Sequence, residues 1–173
     1  APGAERPGSR ANVLSGAAAF PLRGWFADLL EAGPVARRLF TPLLHYPERH
    51  YRAKLARVDC VPGSLLLVDV ASFLRAGGYD ERVFLYEEEY ILGQRFRKIG
   101  AKTALLTSAH YVHRHAASIG KSYRRALDRQ KLREDAMRFY FRHYLGCKRP
   151  ALLFAELYFA LIRLEIFLTG GGR

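Results

Sequence analysis

Apolar and polar positions change their spacing several times along the chain, and each change marks an element. "GWFADLLEAG" and "PVARRLF" read as two short helices divided at Gly33-Pro34, with the proline opening the second. "YPERHYRAKLARV" is basic and reads as a connector or surface loop. Leu65 to Val70, entered through Pro62-Gly63, is an apolar, β-rich run that predicts a buried strand. "ASFLRAGG" predicts a short helix stopped by Gly77-Gly78. Glu87 to Gly100 predicts another helix: three glutamates in its first turn, apolar contacts from Tyr90, Ile91, Leu92, Phe96 and Ile99, and Arg95, Arg97 and Lys98 near its end. "KTALLTS" predicts a strand, Tyr123 to Leu145 a long basic helix closed by Gly146, and "ALLFAELYFALIRLEIFL" a strongly apolar last helix. Residues 1–20, rich in Ala, Gly and Pro, read as an irregular lead-in. There is no internal repeat and no heptad run.

The 173 residues suit one domain able to bury roughly 70% of its unfolded surface. Half of them are hydrophobic and a quarter charged, which is globular rather than disordered composition. Cys60 and Cys147 have no metal-ligand spacing, so reduced thiols in a cytosolic setting are the default. No signal peptide is visible, and the chain opens without methionine, as a piece of something longer would.

Charge sharpens the picture. A formal net charge of +12 implies an anionic partner. Yet five of the sixteen acids, Asp80, Glu81, Glu87, Glu88 and Glu89, lie within ten residues of one another. Between His110 and Arg149, eleven Lys/Arg residues face only Asp128, Glu134 and Asp135. The bland account of Glu87–Glu89 is a helix N-terminus whose exposed amides welcome negative charge. That account leaves out the apolar text on both sides, "VFLY" and "YIL", which pulls the carboxylates toward a semi-buried rim. Partial desolvation there raises a carboxyl pKa toward neutrality, as a general base requires. His113 and His115, two apart, point the same way on an extended segment. Two imidazoles are too few for a self-contained zinc site, so either one of them joins a site completed elsewhere or both are incidental loop residues.

The ordered text from Val61 to Ser122, carrying Gly63, Gly77, Gly78, Tyr79, Asp80, Glu81, Phe84, Leu85, Tyr86, Glu88, Arg95, Gly100, His113 and Ser118, resembles the second half of the catalytic domain of family-2 glycosyltransferases. These are inverting, sugar-nucleotide-dependent enzymes. The resemblance implies an α/β fold, a partial GT-A-like (Rossmann-like) domain without its N-terminal nucleotide-binding half, followed by C-terminal helices. It implies a catalytic base at Glu89 with Glu88 beside it, the longer glutamate leaving the choice between the two open. It further implies acceptor or substrate contacts from Gly63, Ser64, Asp80, Arg95, Ser118 and Lys121, with Arg124 also in reach of phosphate oxygens. His113 would ligate a divalent cation, Mg or Mn, completed by an Asp-x-Asp motif that this chain lacks. Only about sixty residues precede Gly63, and no glycine-rich turn follows a strand there. The expected activity is glycosyl transfer to a saccharide or lipid-linked acceptor in cell-surface polysaccharide synthesis, absent from this isolated chain.

The expected organisation is a lead-in over 1–57, the acceptor-side half over 58–122, and a basic helix with an apolar helix over 123–173. The basic helix reads as an amphipathic element packed on a sheet, or as attraction to an anionic lipid or pyrophosphate-linked acceptor. The apolar tail holds Glu156, Arg163 and Glu165, which disfavours spanning a membrane. An interfacial helix entered through Lys148 and Arg149 fits better, with packing on a partner subunit, and hence an oligomer, as the competing account. The expected location is cytoplasmic, peripheral at the inner face of the plasma membrane. No nucleic-acid module is present, so no nucleic-acid partner is expected. The alternative reading is a non-catalytic basic module that docks on anionic membranes or a partner protein.

Overall fold

The computed structural model describes residues 19–109, 123 and 125–169. Two helices come first, α1 (Trp25–Ala32) and α2 (Pro34–Leu44), divided at Gly33 with Pro34 in the first turn of the second. Proline is at home there, because its missing amide proton would have no intrahelical acceptor. A 3-10 turn (Glu48–Tyr51) leads to strand β1 (Leu55–Val58). Helix α3 (Val70–Arg75) is capped by the Asp69 carboxylate, which accepts from the Ser72 amide at 2.8 Å. Helix α4 (Glu88–Lys98) and strand β2 (Thr103–Leu106) follow. The long helices α5 (Ala126–His143) and α6 (Arg149–Leu168) complete the described chain.

β1 and β2 pair antiparallel, Leu55 opposite Leu106 and Val58 opposite Thr103, and are the two strands of one sheet among the described residues. An isolated bridge between Phe20 and Cys60 extends β1's direction. The strand therefore lies in the stretch expected to be a connector, crossing residue 57. The run expected to be a buried strand, Leu65 to Val70, is instead irregular up to Asp69 and largely open, with Leu67 94% exposed. A strand holds its place by ladder hydrogen bonds, and β1 and β2 use theirs on each other. The overall content is thus mostly helical with a small antiparallel pair.

The core joins parts of the chain far apart in sequence. Leu29 and Ala32 of α1, Ile91 of α4, Met137, Tyr140 and Phe141 of α5, and Ala155, Phe159 and Ile162 of α6 form one buried cluster. The first of the expected lead-in helices is therefore packed into the same core as the C-terminal ones. α5 and α6 are also locked by charge: Glu134, buried, accepts from Arg163 and from Arg138, and Arg138 bonds Glu156 at 2.5 and 2.8 Å. Gly93 sets the depth of α4, since a Cβ there would stand 2.6 Å from Cys60 Sγ and 3.0 Å from the Asp59 carbonyl oxygen. Only a residue without a side chain lets α4 pack this closely on the segment leaving β1.

Candidate functional site

The head of α4 is built by a sharp backbone reversal. Tyr86 and Glu87 both adopt left-handed geometry, φ 67° and 61°, which costs a residue with a Cβ on the order of 1–2 kcal/mol. Glu87 stands at the N-cap position, makes no side-chain cap, and turns its carboxyl into the protein. Glu88 and Glu89 then form the first turn.

The three neighbouring carboxyls meet three different environments. Glu87 is buried with Oε2 unpartnered, and burial pushes its pKa up to about 8, against the opposing charge of Arg133 and with help from Asp28, Glu31 and Glu89. Glu88 is half-buried, also with an unpartnered Oε2, and burial followed by the neighbouring Glu89 charge raises it to about 7. Glu89 Oε1 accepts from the Gly63 amide at 2.9 Å, tying the turn after Pro62 to the start of α4. The Tyr79 hydroxyl faces the same space: a Cβ on Gly63 would lie 4.0 Å from it, and burial with the charges of Glu89 and Glu88 raises its pKa. Gly63, Tyr79, Glu88 and Glu89 are thereby brought together, with Ser64 exposed next to Gly63.

Asp80 and Arg95, expected on the acceptor side, are committed to protein partners. Arg95 donates to the Gly77 and Gly78 carbonyls at 2.6 and 2.8 Å, to Tyr144 Oη at 3.0 Å and to Asp80 at 3.1 Å. Asp80 also accepts from the Arg82 amide and guanidinium and from Tyr144 Oη at 2.6 Å. The Arg82 bonds in the first place, then Tyr144, hold its carboxyl well below the usual carboxylate range against the push of burial. The pair clamps the Gly77–Gly78 turn, whose residues sit at φ 85° and 63° and are glycines for that reason. The clamp in turn sets where Tyr79 stands beside Glu89.

Behind the site lies a second buried group of charges that sequence reading did not single out. Arg23 donates to Glu31, to the Leu44 carbonyl, to Tyr90 Oη at 2.7 Å and to Asp28 at 3.3 Å, while His45 reaches Glu31 at 3.4 Å. Burial raises Asp28 to about 6 despite Arg23. Glu31 goes the other way, down to about 2, because His45 and Arg23 together outweigh its burial. The only sequence signal for this group was a polar residue inside an apolar helix, "FADLLEA", which many solvated helix faces share.

His113, Ser118 and Lys121, with His110, His115 and Arg124, lie outside the described residues. Among the described residues no group of three His, Cys, Asp or Glu side chains is placed to hold a metal ion. Glu88 and Glu89 alone do not make a closed cation site, so the described residues do not by themselves fit the divalent cation that the resemblance implies.

With this geometry in view, comparison with known proteins gives a class: over about two fifths of its length the chain is similar to glycosyltransferases. The relatives are two Mycobacterium tuberculosis proteins, of strains CDC 1551 / Oshkosh and ATCC 25618 / H37Rv, both named N-acetylglucosaminyl-diphospho-decaprenol L-rhamnosyltransferase. Each is 41% identical over 64 residues, which is 37% of this chain and 21% of the relative. The chain thus spans about a fifth of the length of the curated relatives it matches. No family model matches the chain, and no solved structure matches it.

Proposed function

We propose that this chain forms the acceptor-side half of an inverting, sugar-nucleotide-dependent glycosyltransferase of family 2 and GT-A type, whose donor half other sequence supplies. The acceptor is a saccharide or lipid-linked sugar, and the relatives' names favour a polyprenyl-diphospho-linked N-acetylglucosamine. The observation that carries the reading is the Glu88–Glu89 pair at the head of α4. One carboxylate is oriented by the Gly63 amide; the other has a pKa raised to about 7.

In this scheme Glu89 is the base. The Gly63 N–H bond orients its carboxylate and leaves the second oxygen for an acceptor hydroxyl. As the proton moves to Glu89, the hydroxyl oxygen bonds to the anomeric carbon. The bond to the nucleotide diphosphate breaks on the opposite side, the diphosphate leaving with the electron pair. Glu88, raised to about 7 by burial and by the Glu89 charge, adjoins the base. Gly63, Ser64 and Tyr79 border the acceptor, and Asp80 with Arg95 positions Tyr79. The divalent cation enters through the resemblance alone, and no step here is routed through it.

The test is sugar transfer by a polypeptide that carries both halves. Glu89→Gln is expected to abolish transfer to an N-acetylglucosaminyl-diphospho-polyprenol while donor binding stays near wild type. Glu88→Gln is expected to move the pH profile instead. Full transfer by Glu89→Gln would end the assignment of the base.

A further inference from the structure

Helix α6 has two apolar faces. Ala155, Phe159 and Ile162 point into the core and are buried. Leu153, Leu157, Leu161, Leu164 and Leu168, spaced four, four, three and four apart, share the outward face and are all more than half exposed. No charged side chain interrupts that face. Glu156 and Arg163 sit on one flank and are spent on Arg138 and Glu134, and Glu165 is on the other. The apolar surface continues past the helix: Phe154 meets Phe26 of α1, both exposed, with ring centroids 6.0 Å apart.

A second stripe lies nearby on α2. Val35, Leu39 and Leu43 recur once per turn and grow more open along the helix, 54%, 68% and 80% exposed. The start of α2 abuts the middle of α6, where a Cβ at Gly33 would collide with Tyr158 Oη. Apolar surface this extensive on a soluble face marks a protein or membrane contact. The charges choose between them. α2 carries Arg38 on the flank of its stripe and no acid, and α6 is entered through Lys148 and Arg149. In a two-fold pair each copy offers only the same patch, bordered by Glu165 as the acid not already spent on an arginine, so most of these cations would lack a counter-charge. An anionic headgroup layer meets them with opposite charge, while the leucines enter the acyl boundary.

We propose that the outward face of α6, extended by Phe26 and by the Val35–Leu39–Leu43 stripe of α2, lies in the surface of an anionic lipid bilayer. At about 1.5 Å per residue the 20 residues of α6 run roughly 30 Å along that surface. No helix among the described residues is long and apolar enough to cross a membrane, and the arrangement needs none to do so. The second anchor on α2 fixes the rotation of the chain on the bilayer, which a single helix would leave free. The proposal takes nothing from the acidic pair and stands whether or not that pair is catalytic.

The experiment is co-sedimentation of the 173-residue chain with vesicles of phosphatidylglycerol and phosphatidylcholine, against phosphatidylcholine alone. Binding is expected to be tenfold or more stronger on the anionic vesicles and to weaken with salt. Leu157→Glu with Leu161→Glu should lower it at least about hundredfold, and Leu39→Glu with Leu43→Glu at least about tenfold. All four sites are exposed, and thermal melts of the variants check that the fold survives. Trp25, the single tryptophan, touches Phe26 and Phe154, so in the unaltered chain brominated acyl chains should quench its fluorescence. Wild-type binding by the α2 variant overturns the two-element surface. Absence of vesicle binding and of quenching overturns the whole, as does a concentration-dependent dimer split by the α6 substitutions, which would assign the face to a second copy.

Discussion

Replacing Glu87 by Gln should flatten the pH dependence of stability in a direction opposite to the usual one for carboxylates. Burial holds the folded pKa at about 8 against 4.5 for the free side chain. Between those values the unfolded chain has released its proton and the folded chain has kept it. Stability therefore falls as pH rises from 4.5 and levels off only above about 8. Each pKa unit is worth about 1.4 kcal/mol. Between about pH 5 and about pH 7.5 the parent chain should lose on the order of 3 kcal/mol that the Gln variant keeps. Gln matches the neutral acid in volume and in lacking charge, so the two proteins should be close in stability at about pH 5. Asp28, raised to about 6, acts with the same sign in both and drops out of the difference to first order. Urea unfolding at a series of pH values, with ΔG extrapolated to water, measures this. Parallel pH curves for the two proteins would show that the Glu87 carboxyl is ionised in the fold or reaches solvent, and would refute the reasoning.

Two further substitutions test how the site is held. Gly93→Ala pushes a methyl to within 2.6 Å of Cys60 Sγ and 3.0 Å of the Asp59 carbonyl, one of them backbone that cannot swing aside. We expect a loss of about 1–3 kcal/mol in urea unfolding, and wild-type stability would mean that α4 does not approach β1 this closely. Asp80→Asn removes the charge and one of the two oxygens that accept the Arg82 and Arg95 bonds, and should cost about 1.5–3 kcal/mol near neutrality. Because the folded pKa of Asp80 lies below its ordinary 3.8, its contribution is present above that value and is lost as pH falls below it. Acid titration of unfolding should therefore show the gap between parent and variant closing below about pH 4, and a pH-independent gap would assign the loss to packing instead.

What the sequence made legible was punctuation. Gly77, Gly78, Gly100 and Gly146 were read as stops, and each has positive φ at the end of its helix. Pro34 was read as an opening and stands there; Glu87–Glu89 were read as a first turn, of which Glu88 and Glu89 stand there while Glu87 is the N-cap. These signals are local: a missing Cβ or a missing amide proton decides them without reference to the rest of the fold. Strand β2 was read in "KTALLTS", but β1 was not legible. In β1 the buried positions are Ala56 and Val58, while Leu55 and Arg57 face out, so the outward set mixes the largest apolar residue with a charge and blurs the period of two. Leu65 to Val68 had strong β character but no pairing partner among the described residues. Propensity names the residues that fit a sheet; pairing decides which of them are in one. At the site, the apolar flanks of the glutamates correctly suggested burial, yet the most buried carboxyl is Glu87, outside the expected pair.

The reversed backbone at Tyr86 and Glu87 links that buried carboxyl to the pair. Neither residue is glycine or asparagine, so the surroundings must hold what local preference opposes. The anchor is visible: the Glu87 carbonyl accepts the Ile91 amide at 2.9 Å, and Ile91 is fully buried in the core with Tyr140 and Phe159. A chain entering α4 in an ordinary extended N-cap conformation would take a different path past residue 87. The left-handed turn instead sends the carboxyl of Glu87 inward, where it can be accommodated only as the neutral acid near pH 7. Its neutrality spares the head of α4 a third adjacent negative charge. Strain at residue 87 and the raised pKa there are therefore consequences of one backbone choice. Altering either one should be felt in the other.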